Sequence, residues 1–189
     1  MIELHTWGTT NGRRPIIMLE EVGIPYKLNV VDIKSGDNKK PAFLAINPFG
    51  KIPAMVDTEG PGGGRYTMME SGAILFYLAE KTGKFLPKDA RKRYDVMQWL
   101  IFQMAHVGPM FGQANHFNNY VKENTAEPQT YAQNRYNNES IRLYRVLDNR
   151  LRASPWLGCD EYTIADMATC PWYGALATQY GTLLADDFF

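Results

Sequence analysis

What most constrains this chain is the point at which its strand-like segments stop. Up to Gly83, strand and helix patterns alternate, and beyond it nothing reads as a strand. Ile2 to Thr6 alternates apolar and polar residues, the pattern of a half-buried strand. Gly8-Thr9-Thr10-Asn11-Gly12 is a turn rich in small and capping residues. The helix expected after it tolerates Pro15 in its opening turn, carries Ile16, Leu19 and Val22 along one face, and is stopped by Gly23. Tyr26 to Val31 then predicts a second strand, and a strand–helix–strand run with short connections predicts a right-handed parallel crossover.

The next stretch is built differently. A polar segment, Lys34 to Lys40, leads to a short helical piece from Pro41 to Ile46. The apolar residues after Pro53 and those from Arg65 to Met69 read as two strands joined by Gly60-Pro61-Gly62-Gly63-Gly64, a hairpin. A helix follows from Ser71 to Lys81, with Ile74, Leu75 and Leu78 inward. Leu86-Pro87-Lys88-Asp89 then breaks the pattern. Arg93, Met97, Leu100, Ile101 and Met104 follow helical spacing until Gly108-Pro109, expected to kink or break that helix. Tyr136, Leu143, Tyr144, Leu147 and Leu151 mark a second long helix, and a third opens at Tyr162-Thr163-Ile164-Ala165-Asp166. The expected fold class is α/β plus all-α. A βαβ–ββα domain spans residues 1–83, a linker 84–90 and a helical bundle 91–189, the bundle expected to be incomplete at its C-terminus.

Composition narrows the function classes. Lys plus Arg and Asp plus Glu are both 20, a balance that lacks the electrostatic footprint of a general nucleic-acid binder. Only Cys159 and Cys170 occur, in no C-x-x-C pair and no metal-ligand cluster, so no thioredoxin-type redox motif and no metal are expected. That cysteine usage suits a reducing, cytoplasmic setting. Met1 to His5 does not read as a signal peptide, and no run reaches the roughly 18 apolar residues of a membrane span.

Three short constellations can carry chemistry, and each has a plain structural alternative. Ile52-Pro53 is either a strand-initiating proline or a cis-proline that turns the Ile52 backbone outward to pair with an extended thiol peptide. At Met69-Glu70-Ser71-Gly72, Glu70 or Ser71 either caps the following helix or leaves its N-terminus to a carboxylate, with Glu70 on an adjacent ammonium. Together these groups fit the α-amino-acid end of a ligand. Thr9-Thr10-Asn11 is either a helix cap supplied by Asn11 or a set of donors that stabilises a thiolate.

These residues converge on one family. The whole chain resembles the cytosolic glutathione transferases, and within them the bacterial Nu-class, glutathione-dependent disulfide-bond reductases. The matching stretches are Thr9-x-Asn11-Gly12, Asn47-Pro48-x-x-Lys51-Ile52-Pro53-Ala54, the block from Glu70 to Lys81, Gly108-Pro109-Met110-x-Gly112-Gln113, Ser154-Pro155-Trp156-Leu157 and Tyr162-Thr163-Ile164-Ala165-Asp166. The resemblance implies a thioredoxin-like glutathione-binding domain beside an all-helical one, a homodimer, and glutathione as cosubstrate. It places Ile52 and Pro53 on the cysteinyl backbone, Glu70 and Ser71 on the γ-glutamyl end, and Asn38 and Lys51 near the glycyl end. Asn11, with Thr9, would face the sulfur as the catalytic pair, and Arg135 would reach glutathione across the dimer interface.

Two departures bear on this picture. Asn38 stands where a longer glutamine is usual, and Thr10 replaces a common proline. Trp7, Met104, His106 and Phe111 are candidates for the wall of a second-substrate pocket, taking a small disulfide or an electrophile. His116 is a neighbouring wall residue, and Thr163-x-x-Asp166 is a folding signal. The expected activity is activation of the glutathione thiolate for disulfide reduction, for conjugation, or for both. The alternative is a non-catalytic glutathione-binding regulator or scaffold of the same fold.

Overall fold

The computed structural model describes residues 1–121 and 128–172. It divides into two compact units, the first Met1–Pro87 and the second beginning at Lys88. The expected incompleteness of the helical bundle at Asp186-Asp187-Phe188-Phe189 lies outside the described residues.

The first unit contains β1 (Ile2–Thr6), α1 (Thr10–Val22), β2 (Tyr26–Val30), α2 (Pro41–Leu44), β3 (Ala54–Asp57), β4 (Tyr66–Met69) and α3 (Ser71–Thr82). The strands form one sheet in the order β2-β1-β3-β4, parallel between β1 and β2 and antiparallel elsewhere. The alternation in β1 puts Ile2, Leu4 and Thr6 inward. With Met55 they share a core with Met18, Leu19 and Val22 of α1 and Ile74, Leu75 and Leu78 of α3, all buried. On the other face, Val31, Phe43 and Ala54 make a smaller cluster with Ile46 and Ile52 against it. Gly23 and Gly83 end their helices at φ +73° and +68°, the left-handed position a glycine reaches without a Cβ clash.

A buried carboxylate ties α3 to the hairpin. Asp57 is fully buried at the end of β3 and accepts from Tyr77 Oη at 2.6 Å and Lys81 Nζ at 2.7 Å. Burial alone would push its carboxyl up. The bonds from Lys81, Tyr77 and the Glu59 amide outweigh burial and hold it below the usual carboxylate range. Burial and the same carboxylate push the Tyr77 phenol well up.

The second unit comprises α4 (Ala90–Phe102), α5 (Gly108–Asn115), α6 (Thr130–Ala153) and α7 (164–172). Asp89 caps α4 by accepting from the Lys92 amide. Thr163 Oγ1 accepts from the Ala165 amide, while Asp166 accepts from the Thr163 and Leu157 amides, so the expected capping box also holds the Leu157 turn.

Two local expectations are corrected. Pro15 lies in the second turn of α1, not the first, because the helix starts at Thr10. Gly108-Pro109 does not break the helical path. A π-helical turn, Gln103–Val107, joins α4 to α5, with Gly108 N–H donating to Gln103 O and Gly108 still helical at φ −57°. The wider turn absorbs the backbone amide that proline lacks.

Candidate functional site

Strand register brings three separated segments to one edge of the first unit. His5 pairs with Ala54, and Ala54 pairs with Met69. The chain leaving β1, the chain entering β3 and the chain leaving β4 therefore emerge side by side. Thr9, Pro53 and Glu70 follow or precede these partners by only a few residues.

The segment entering β3 is held by a buried amide. Asn47 is 2% exposed; its Nδ2 donates to Lys51 O at 2.6 Å and its Oδ1 accepts from Phe49 N at 3.0 Å. Gly50 turns there at φ +64°. Asn38 Nδ2 and Lys39 Nζ both donate to Gly50 O, at 2.7 and 3.2 Å. Asn38 thus spends a donor on the loop itself. Lys51 is exposed, its ammonium 5.0 Å from the centre of the Phe49 ring. Ile52-Pro53 is a cis bond, and Pro53 is buried. The ladder begins at Ala54, so it makes no use of the Ile52 N–H and C=O.

The N-terminus of α3 has no side-chain cap. Glu70 occupies the cap position at φ +69° and ψ 114°, a conformation that costs a non-glycine residue about 1–3 kcal/mol. No side chain caps the helix, whose opening N–H groups carry the positive end of the dipole. Ser71, the first helical residue, is buried; the Glu70 side chain is exposed. Behind Ser71 lies Arg14 of α1, 2% exposed, with Nη1 donating to Ser71 Oγ at 2.9 Å. Burial lowers this guanidinium to about 9 against a partial rise from the Glu70 charge.

The N-terminus of α1 is closed differently. Thr9 Oγ1 accepts from Gly12 N at 3.1 Å and caps the helix, so the cap is Thr9 and not Asn11. Asn11 is the second residue of α1 and is exposed. Gly12 is compelled by space: a Cβ there would stand 2.1 Å from Trp7 O and 2.6 Å from Thr6 Oγ1. Trp7 itself is half-buried, and its carbonyl accepts from the Thr9 amide.

The remaining candidates belong to the second unit. Arg135 is exposed on α6, in a cleft of about 760 Å³ shared with His106, Met110, Tyr136, Glu139 and Arg142. Met104 is half-buried in the π turn, and exposed His116 lies edge-on to Phe117. Phe111 is not a wall residue. It is fully buried, stacked on Tyr144 at 4.7 Å and edge-on to Trp172, because α5 turns that side into the core against α6. Cys159, Asp160 and Glu161 are the one group of three metal-capable side chains among the described residues. They are consecutive in the chain, Cys159 buried and the two carboxylates exposed, and Asp160 is paired with Lys92 at 2.8 Å.

The structure adds two residues to which the sequence assigned no role, Asn47 and Arg14. Asn47 sits inside a matching stretch, yet nothing in the pattern shows that its amide clamps the loop. Arg14 had a usable signal: with Met18 and Val22 it falls on the apolar stripe of α1, where a charge needs a reason.

Residues 10–81 match the family model described as Glutathione S-transferase, N-terminal domain. The chain is 47% identical over 182 residues to the Disulfide-bond oxidoreductase YfcG of Escherichia coli strain K12, covering 95% of this chain and 82% of that protein. A glutathione transferase family member from Pseudomonas fluorescens Pf-5, solved with two glutathione bound, superposes with a TM-score of 0.93 at 42% identity, covering 100% of this chain and 83% of that one. A glutathione transferase from Pseudomonas putida, solved with one glutathione disulfide per subunit, gives 0.91 at 41% identity, covering 99% and 81%. With the sheet, the helical unit and the cis-proline edge in place, these likenesses put the chain in the glutathione S-transferase family.

Proposed function

We propose that this protein is a glutathione-dependent enzyme that charges the thiol of bound glutathione and uses it to reduce small disulfides. The observation that carries this reading is the edge of the first unit. There an uncapped helix N-terminus at Ser71, the exposed carboxylate of Glu70 and the Ile52 backbone beside cis-Pro53 stand together. The γ-glutamyl carboxylate takes the α3 amides and Ser71, its ammonium takes Glu70, and the cysteinyl backbone pairs with Ile52 as an added strand. Asn38 and Lys51 flank the glycyl end.

The thiolate then falls to Thr9 and Asn11. Thr9 Oγ1 already accepts from the Gly12 amide, so its own hydrogen remains to donate. Asn11 offers a side-chain amide in the first turn of α1. Donors of this kind favour the charged sulfur and lower its pKa from about 8.5. Neither Cys159 nor Cys170 enters the scheme. Both lie in the second unit, and burial pushes the Cys159 thiol up.

The chemistry is two exchanges. Glutathione thiolate attacks one sulfur of the substrate disulfide, forming a mixed disulfide and releasing a substrate thiolate. A second glutathione thiolate attacks the glutathione sulfur of that mixed disulfide, giving glutathione disulfide and the second substrate thiolate. The released thiolates take up the protons lost by the two glutathiones. The site therefore has to hold two glutathiones or one glutathione disulfide. Relatives solved with two glutathione or with glutathione disulfide support that stoichiometry.

The protein works in this reading as a cytoplasmic homodimer in which Arg135 reaches the partner's glutathione. No helix among the described residues is long and apolar enough to cross a membrane. A glutathione-coupled assay with 2-hydroxyethyl disulfide, run beside one with a chlorinated nitroarene, tests the activity. Turnover of the disulfide is expected, with slower conjugation. Binding of glutathione without turnover of either substrate would make the protein a binding-only member. Calorimetric titration that finds a single glutathione and excludes the disulfide would overturn the two-step scheme.

A further inference from the structure

Three charged side chains follow one face of α6 at positions i, i+4 and i+7: Arg135, Glu139 and Arg142. All three line the cleft of about 760 Å³, together with His106 of the π-helical turn and Met110 of α5. Glu139 stands within about one turn of both arginines, and it takes Arg142. Arg142 Nε donates to Oε2 at 2.9 Å and Nη2 to Oε1 at 2.7 Å, so both carboxylate oxygens are engaged. Two parallel bonds of this kind make the strong form of a guanidinium–carboxylate pair. The helix favours the same choice. An acid placed N-terminal to its base complements the helix dipole, as Glu139 is to Arg142, and the reverse order of Arg135 and Glu139 does not. The Glu139 carboxyl is held below its usual range, first by the Arg142 hydrogen bonds and against burial, while His106 and Arg135 act on it only through space. Among the described residues no hydrogen bond or ion pair occupies the Arg135 guanidinium. Glu139 and Arg142 cancel each other, so the charge left over among the three is that of Arg135.

From this geometry we infer that Arg142 is a positioning residue for Arg135: by holding both Glu139 oxygens it keeps that carboxylate off Arg135 and leaves one guanidinium of the cleft available to an anion. The inference rests on the reading in which Arg135 reaches glutathione, and deepens it. Arg142 touches no substrate in this arrangement. Its effect passes through Glu139, so it belongs to the affinity for the carboxylates of glutathione and not to the exchange of sulfurs. With Arg142 removed, Glu139 is left one turn from Arg135 on the same face, and the two close an i,i+4 pair that competes with the ligand.

The test is a mutant cycle on the full-length protein, reading kcat and KM for glutathione with 2-hydroxyethyl disulfide as the second substrate. The side chains of Arg142 and Glu139 are 59% and 30% exposed, so their replacement leaves the core intact, and a thermal melt of each variant checks this. Arg142→Ala should raise KM about two- to fivefold, the scale of an exposed ion pair, with kcat unchanged. Adding Glu139→Gln to Arg142→Ala removes the competing carboxylate and should return KM to the wild-type value. In an Arg135→Ala background, Arg142→Ala should change nothing further. An unchanged KM in Arg142→Ala, or a raised KM that Glu139→Gln does not rescue, would overturn the inference. The rescue is the decisive readout, because a residue that merely supports α6 would not be restored by losing its partner as well. If Arg135→Ala itself leaves the glutathione KM unchanged, the underlying contact falls and this inference with it. A raised KM in Arg135→Ala beside an inert Arg142→Ala would sink this inference alone.

Discussion

The two helices that open onto the site begin in opposite ways. At α1 the chain closes its own terminus: Thr9 turns its hydroxyl back onto the Gly12 amide in an ordinary extended conformation, φ −97° and ψ 165°. At α3 the cap residue is Glu70, forced to φ +69°, and no side chain returns to the opening amides. The first arrangement satisfies a helix end locally and leaves only hydroxyl and amide hydrogens for a ligand. The second places a non-glycine residue at positive φ and leaves the helix without a side-chain cap. In the proposed reading, one sheet edge separates two tasks, a thiolate needing a few aimed donors and a zwitterion needing a field.

Several changes would break or sharpen this contrast. The largest effect is expected from Gly12→Ala, because the new Cβ would meet backbone at 2.1 Å. Overpacking of this kind sits at the top of a range of about 1–3 kcal/mol, and it should appear as a lowered denaturant midpoint. The α1 terminus would be displaced while α3 keeps its geometry, so glutathione would still bind but turn over slowly.

Next is Asp57→Ala, which removes the acceptor shared by Tyr77 and Lys81 and should cost about 3 kcal/mol. Because the Asp57 carboxyl is held below its ordinary value, its contribution is complete above the unfolded pKa of about 4. It is lost as pH falls through the folded value. Chemical denaturation between pH 6 and 3 should show that loss in the wild type and a flatter profile in Asp57→Asn; identical profiles would remove the carboxylate from the account.

Asn11 and Thr9 separate rate from stability. Asn11→Ala should reduce disulfide turnover roughly tenfold or more, the scale of a charge-assisted hydrogen bond at about 1.5–3 kcal/mol, with the melting temperature unchanged. Thr9→Ala should lower stability by about 1 kcal/mol through the lost cap, with Thr9→Ser restoring it. If Asn11→Ala leaves the rate intact, the sulfur donor is misassigned. The smallest and most telling change is Glu70→Gly. It should raise stability by about 1 kcal/mol by relieving the positive φ, while glutathione affinity falls. A parallel loss of both would mean that Glu70 is not strained for a ligand.

Much of this site was legible because its parts are local. Pro53 ahead of an apolar run, Glu70-Ser71 at a strand-to-helix switch and Thr9 in a small-residue turn each carry their meaning within a few neighbours. The capping box at Thr163 and Asp166 and the helix stops at Gly23 and Gly83 were legible for the same reason. The errors were local too. Thr9 and Asn11 both suit a cap, and only the backbone angles decide which hydroxyl or amide meets Gly12. Gly108-Pro109 reads as a break because a π-helical turn has no distinct sequence pattern. Phe111 looked like a pocket wall because an apolar residue near a glycine-proline pair does not say which way its helix turns.

The sequence by itself determined the order of elements, the resemblance to the glutathione transferases and the absence of a C-x-x-C pair. Those follow from periodicity, from turn chemistry and from residue identity, none of which needs distant parts of the chain. Only the tertiary structure decided that Ala54 pairs with both His5 and Met69, which draws three separated segments to one edge. Only it showed Arg14, 57 residues from Ser71, buried beneath the α3 terminus. Such contacts depend on sheet register and helix rotation, which are settled by the packing of the whole core and are not encoded in any short stretch.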